Sequence, residues 1–116
     1  MDKKDFRDRT TRFAIQIVRT FIGLPKTAEA QILGKQLLRS GTSIGANYRE
    51  AHRGRSKNEF IAKCGDSLRE AEETAYWLEL LVEAKIVPAT KLEPLREESA
   101  ELIAILIAII RRSKGI

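Results

Sequence analysis

A chain of 116 residues can bury one respectable core and is too short for two. Its 43% hydrophobic and 32% charged residues exclude wholesale disorder, and a net charge of +5 directs attention to anionic partners. A single cysteine excludes an internal disulfide, residues 1–5 lack the apolar core of a signal peptide, and the apolar run 102–110 falls far short of the roughly 20 residues of a membrane span, so a reducing, cytoplasmic, non-membrane setting is expected.

Turning roughly 100° per residue along the chain gathers the apolar residues into one sector four times. The first helix, expected over about 5–23, carries Phe6, Thr10, Phe13, Ile17, Phe21 and Leu24 on one face, with Arg9, Arg12 and Arg19 off it. Gly23, expected in a left-handed cap, and Pro25 end it. The second helix, about 27–53, includes Ser40-Gly41-Thr42-Ser43-Ile44-Gly45, which is loop-like in composition. Leu33, Leu37, Ile44, Tyr48 and Ala51 nevertheless hold one phase straight through Gly41, and a flexible loop has no reason to preserve phase. One helix, straight or kinked at the glycines, is therefore expected there. Each glycine costs it about 1 kcal/mol relative to alanine, so the small residues are expected to admit a neighbouring helix closely.

Ser56 and Glu59 form a capping-box pattern that opens a third helix, about 57–86, with Phe60, Cys64, Leu68, Ala71, Ala75, Leu78 and Val82 as its stripe. Residues 76–82 are apolar nearly all round, which predicts cover on more than one side. Pro88, with Thr90 as cap, separates a fourth helix at about 90–113, bearing Leu92, Leu95, Ser99, Leu102, Ile103, Leu106 and Ile110. Arg111, Arg112 and Lys114 complement its dipole. Ile105, Ile107 and Ile109 lie outside the centre of that stripe, and Ile15, Val18 and Ile22 lie off the core face of the first helix. This apolar excess predicts a homo-oligomer. The fold class expected is all-α, an antiparallel up-and-down four-helix bundle.

Little in the chain suits catalysis. A dinuclear metal bundle needs Glu-x-x-His on two helices, and the only histidine, His52, has Arg49 three residues before it. The carboxylates Glu70, Glu72, Glu73, Glu97, Glu98 and Glu101 interleave with the apolar stripes as solvent-facing positions do. Gly41 and Gly45 lack the strand and lysine of a phosphate loop, and Cys64 sits on a core stripe, where an activated thiolate is not expected. No catalytic, metal or cofactor residue is assigned, and the chain is expected not to be an enzyme.

Charge is unevenly spread, with net values of +3 over residues 1–24, +5 over 25–58, −4 over 59–88 and +1 over 89–116. On the second helix Lys35, Arg39, Arg49 and Arg53 share a sector nearly opposite the apolar stripe, and Arg55 and Lys57 continue it past the helix end. Arginine's planar fork suits phosphate oxygens, and without interleaved aromatics the contacts expected are to backbone phosphates and sequence-independent. The competing reading is a solvated helix face, with Glu50 intruding.

The run Ser43-Ile44-Gly45-Ala46-Asn47-Tyr48-Arg49-Glu50-Ala51, then Arg55-Ser56, Glu59-Phe60, Ser67-Leu68-Arg69-Glu70-Ala71 and Tyr76-Trp77-Leu78, resembles the bacterial four-helix bundle proteins encoded in intervening sequences of 23S ribosomal RNA genes, often labelled 23S rRNA-associated. The likeness spans nearly the whole chain and is densest over about 40–80. It extends to the accessory proteins of diversity-generating retroelements. Many members carry proline where this chain has Gly45. The resemblance implies an antiparallel bundle assembled as a ring-like homopentamer with a basic surface for RNA, and it brings no catalytic residue. Asn47 and Glu50 match the motif and are read as polar packing positions. The function expected is thus an oligomeric, non-enzymatic scaffold that binds structured RNA through Lys35, Arg39, Arg49, Arg53, Arg55 and Lys57. The alternative is a scaffold that docks a protein partner, such as a reverse transcriptase, without touching RNA.

Overall fold

The computed structural model describes residues 1–116 as four helices without a strand: α1 (Lys3–Ile22), α2 (Ala28–Ala51), α3 (Lys57–Glu83) and α4 (Ala89–Ser113). Buried positions recur at alternating steps of four and three residues on each of them. They are Phe6, Thr10, Phe13 and Ile17 on α1, and Leu37, Gly41, Ile44, Tyr48 and Ala51 on α2. Cys64, Ser67, Ala71, Thr74, Leu78 and Leu81 follow on α3, and Leu92, Leu95, Ser99, Leu102 and Leu106 on α4. This spacing keeps one seam facing the bundle axis, as in a coiled coil. On α3 the seam is rotated from the expected stripe: Ser67, Thr74 and Leu81 are buried, while Phe60, Leu68 and Val82 are only half-buried.

Each helix packs on the next in the chain, and the seam between α1 and α4 is the thinnest. Ile17 meets Gly41 and Thr10 meets Gly45, so α1 and α2 run antiparallel. The Ser67 hydroxyl donates to the Ile44 carbonyl at 2.7 Å, and Thr74 Oγ1 pairs with Ser40 Oγ at 2.9 Å, which sets α3 antiparallel to α2. The expected continuity of α2 through residues 40–46 holds, and so does the close approach. A Cβ on Gly41 would lie 2.8 Å from Ile17 Cγ1, and one on Gly45 2.9 Å from Thr10 Oγ1.

The helix ends show which boundary signals operate. Asp2 caps α1 and Thr27 caps α2, each through a side-chain oxygen. Ser56 caps α3, and the Glu59 carboxylate reaches back to the Arg55 N–H at 2.6 Å, one residue earlier than in the usual reciprocal box. Two expectations need correction. Gly23 is right-handed (φ −84°), its N–H bonding back to α1 carbonyls, and Thr90 lies inside α4, whose N-cap is Pro88 without a side-chain hydrogen bond.

α3 also stops at Glu83, short of 86. There Lys85 takes φ +60°, the Ile86 N–H bonds the Leu81 carbonyl at 3.0 Å and the Lys85 N–H bonds the Val82 carbonyl at 2.9 Å. That is a Schellman motif with a lysine in the left-handed position. α4 ends in the same motif, with Gly115 (φ +77°) in that place and the Ile116 N–H on the Arg111 carbonyl at 2.9 Å. The left-handed region costs an L side chain about 1–2 kcal/mol. Part of that is offset by glycine's larger unfolded-state entropy, so Lys85→Gly is expected to stabilise the fold by about 0.5–1 kcal/mol. A urea midpoint equal to or below that of the wild type would contradict this.

Candidate functional site

The six cations singled out in the sequence do not form one surface. Arg39 is engaged by α3: its guanidinium bonds Glu70 at 3.1 Å and also pairs with Glu73, whose carboxylate accepts the Trp77 indole N–H at 3.0 Å. These bonds hold Glu73 below the usual carboxylate range, the Trp77 bond contributing most, and push Arg39 higher still, the Glu73 bond first. Arg39 is therefore committed to two carboxylates of α3 and does not stand as a free cation. A helical wheel of α2 contains no information about acids on its neighbour. Lys35 is exposed but lies fourteen residues before Arg49, about 21 Å away along the axis.

Arg49 and Arg53 do come together, α1 joins them, and Arg55 and Lys57 follow in the turn and the first turn of α3. Lys3 and Arg7 on α1 face Tyr48 and Arg49 on α2, its C-cap His52 and Arg53 in the turn that follows, across a cleft of about 210 Å³. Lys3 and Arg7 lie one turn apart on α1, and Arg49 and Arg53 flank the end of α2. Arg49 is oriented by a hydrogen bond from Nη2 to the Thr11 hydroxyl at 3.1 Å. No carboxylate lines the cleft. Three of the four nearby acids are occupied away from the cleft cations, and the fourth, Asp8, stands beside Arg7. Asp2 caps α1 at 2.8 Å, Glu50 pairs with Lys63 at 2.8 Å, Asp8 lies 3.8 Å from Arg7 and Glu59 holds the Arg55 N–H. The Lys63 hydrogen bond holds Glu50 below the usual carboxylate range, so the acid that intrudes on the basic sector is turned to α3. That tie to α3 fits the packing role read for Glu50; Asn47 bonds within its own helix, Nδ2 donating to the Ser43 carbonyl at 3.0 Å.

The antiparallel order explains why α1 contributes. It puts the starts of α1 and α3 and the ends of α2 and α4 at one end of a body measuring 45 × 21 × 19 Å. Lys3, Lys4 and Arg7, then Arg49, Arg53, Arg55 and Lys57, then Arg111, Arg112 and Lys114 thus share an end about 20 Å across. Sequence reasoning missed Lys3 and Arg7 because the cations are scattered over three stretches. The available signal was topological, since four helices laid antiparallel superimpose residues 3–7, 49–57 and 111–114.

At the cleft floor His52 is half-buried between Tyr48 and Phe60, its ring centroid 4.7 Å from the first and 5.1 Å from the second. Its Nε2 is buried without a hydrogen-bond partner. Burial, with a smaller contribution from Lys3, lowers the His52 pKa, so the folded protein favours neutral imidazole. The unfolded chain takes up the proton first as pH falls below the ordinary histidine value of 6.5, and stability is lost from there down to the lower folded pKa. Wild-type urea midpoints are expected to fall between pH 8 and 5.5 by more than those of His52→Leu, and parallel curves would refute it.

Cys64 is fully buried, and burial pushes its thiol up to about 11, leaving the unreactive protonated form. No three histidine, cysteine or carboxylate side chains converge on a metal position, and no helix is long and apolar enough to cross a membrane. Ile15, Val18 and Ile22 are exposed on one face of α1; within residues 76–82 Leu78 and Leu81 are fully buried and Trp77, Leu80 and Val82 half-buried, so the expected cover is present except at Tyr76, which is 53% exposed beside the exposed Glu79.

Among curated proteins none matches the chain at a significant level. A solved structure of a protein of unknown function from the S23 ribosomal protein family of Bacteroides thetaiotaomicron VPI-5482 is 40% identical, with a TM-score of 0.86, the match covering 91% of this chain and 98% of that one. The family model of the 23S rRNA-intervening sequence protein matches residues 3–108, nearly the whole bundle and all but the last basic residues of its charged end. The chain belongs to the 23S rRNA-intervening sequence protein family.

Proposed function

We propose that this protein binds structured RNA, without catalysing a reaction on it, through the basic end of the bundle. The observation that carries the reading is the convergence of Lys3, Arg7, Arg49 and Arg53 on a cleft that no carboxylate lines, with Arg55 and Lys57 exposed beside it. Helix stability accounts for Arg49 in the last turn of α2 but not for Lys3 and Lys57. Lys3 and Lys57 are the first residues of α1 and α3, where the helix dipole disfavours a cation. A row of cations on two helices suits the regularly spaced phosphates of a folded RNA, and neighbouring aromatic rings are turned into the core. The family association supports RNA as the polyanion.

The test is binding of a labelled RNA hairpin at low salt by wild type and by the triple variant Arg49→Ala, Arg53→Ala, Arg55→Ala. Each lost charge-assisted contact is worth roughly 1 kcal/mol, so the triple variant is expected to bind about 100-fold more weakly. Wild-type binding that is absent, or unchanged in the variant, refutes the reading. A pull-down recovering one protein partner and no RNA would instead favour the docking scaffold.

A second observation favours self-association. Ile15, Val18 and Ile22 form an exposed apolar row along α1, and Ile107 is exposed on α4. We read the α1 row as a subunit interface in a ring, five-fold by the resemblance. Light scattering on wild type and on Ile15→Glu with Val18→Glu tests it: an oligomer that becomes monomeric is expected, and a monomeric wild type refutes it.

A further inference from the structure

We infer that the cleft between the start of α1 and the end of α2 is a binding site for a phosphate monoester, the terminal phosphate of an RNA chain, and not only one more stretch of backbone contact. This deepens the RNA reading and rests on it for the identity of the ligand, though not for the existence of the site.

A backbone phosphodiester has one negative charge and a nucleoside on each side, so an open basic surface is enough for it. A terminal monoester is compact, carries close to two charges near neutral pH because its second pKa is about 6, and presents three oxygens to donors. The cleft matches the second. Lys3 and Arg7 approach from α1, Arg49 from α2 and Arg53 from the turn after it, lining an open cleft of about 210 Å³. A single phosphodiester charge does not need four cations held around one small volume. Arg49 is already positioned by the Thr11 hydroxyl, so its remaining N–H groups reach an anion with little further ordering. Tyr48 and His52 close the floor of the cleft, whereas Arg55 and Lys57 lie outside it on the turn and the first turn of α3. A terminal phosphate seated inside thus leaves the following nucleotides to run toward those two cations.

The test compares one hairpin RNA carrying either a 5′-monophosphate or a 5′-hydroxyl, by fluorescence anisotropy on the full chain. In parallel, adenosine monophosphate and inorganic phosphate are titrated while the ring C–H signals of His52 are followed by NMR. Arg7→Gln with Arg53→Gln is the variant, both positions being surface charges, with its melting curve as the folding control. The phosphorylated RNA is expected to bind about tenfold more tightly, a preference that the variant loses while it still binds the hydroxyl RNA. If the two RNAs bind equally but adenosine monophosphate shifts His52 in wild type and not in the variant, the monoester site stands with a free phosphate ester as its ligand. Equal RNA affinities together with an unmoved His52 overturn the site. Binding of the hydroxyl RNA at low salt judges the broader RNA reading separately, since that reading survives loss of the preference and falls if neither RNA binds.

Discussion

Gly41→Leu is expected to destabilise the bundle by roughly 3 kcal/mol or more, while Gly65→Ala stabilises it by about 1 kcal/mol. Both glycines lie inside long helices, α2 and α3, so helix propensity alone favours replacing either. Space decides the sign. At position 41 a Cβ would already stand 2.8 Å from Ile17 Cγ1 and 2.9 Å from Cγ2, atoms of a fully buried, β-branched side chain with little rotamer freedom to yield. The rest of a leucine could fit only if α1 were levered away from α2, which would open the seam that Thr10 and Gly45 also close. At position 65 a Cβ would meet nothing within 4 Å. Total stability for a chain of this length is on the order of 10 kcal/mol, so the first change removes a substantial fraction of it. Urea denaturation of the two variants beside the wild type checks the pair. Equal shifts, or a Gly41→Leu midpoint near that of the wild type, would show that the α1–α2 approach is looser than these distances require.

The same contrast shows what could be read before folding. The helical phase of Leu37, Ile44 and Tyr48 survives two glycines because hydrophobic periodicity records the direction of the core, and that direction is a property of one helix. Cys64, Ser99 and Thr10 were legible for the same reason, each lying on its helix's expected stripe and each fully or almost fully buried. The rotation of the α3 seam toward Ser67 and Thr74 was not legible. Those hydroxyls look like solvent-facing residues until the Ile44 carbonyl and the Ser40 hydroxyl are brought within bonding distance from α2. Lys85 escaped as well, because a left-handed cap signals itself in sequence through glycine or asparagine. For the candidate site, the nearness of Arg49 to Arg53 was legible from one stretch of chain, whereas the pairing of Arg39 was not, because Glu70 and Glu73 lie 31 and 34 residues further along. Charge on a single wheel shows where a cation points, and only tertiary packing shows whether another element neutralises it.

The corrected surface and the one read from the sequence make different predictions about salt. Binding that neutralises Z duplex phosphates releases their counterions, so the logarithm of affinity falls with the logarithm of salt concentration with a slope of about −0.9Z. With Lys3, Arg7, Arg49, Arg53, Arg55 and Lys57 all engaged, affinity for a hairpin RNA is expected to fall about a thousandfold between roughly 50 and 200 mM salt. Each of Arg7→Ala, Arg49→Ala and Arg53→Ala should reduce the slope by about 1. Lys35→Ala should leave it unchanged, because that residue stands about 21 Å along α2 from the cleft. Arg39→Ala should also leave it unchanged, for a different reason: its guanidinium already has two carboxylate partners, so no phosphate counterion is displaced by it. Glu70→Gln combined with Glu73→Gln removes those partners and is expected to restore a contribution from Arg39, steepening the slope. A slope that drops for Arg39→Ala and Lys35→Ala but not for Arg7→Ala would return the interface to the outer face of α2 and remove the bundle end from it.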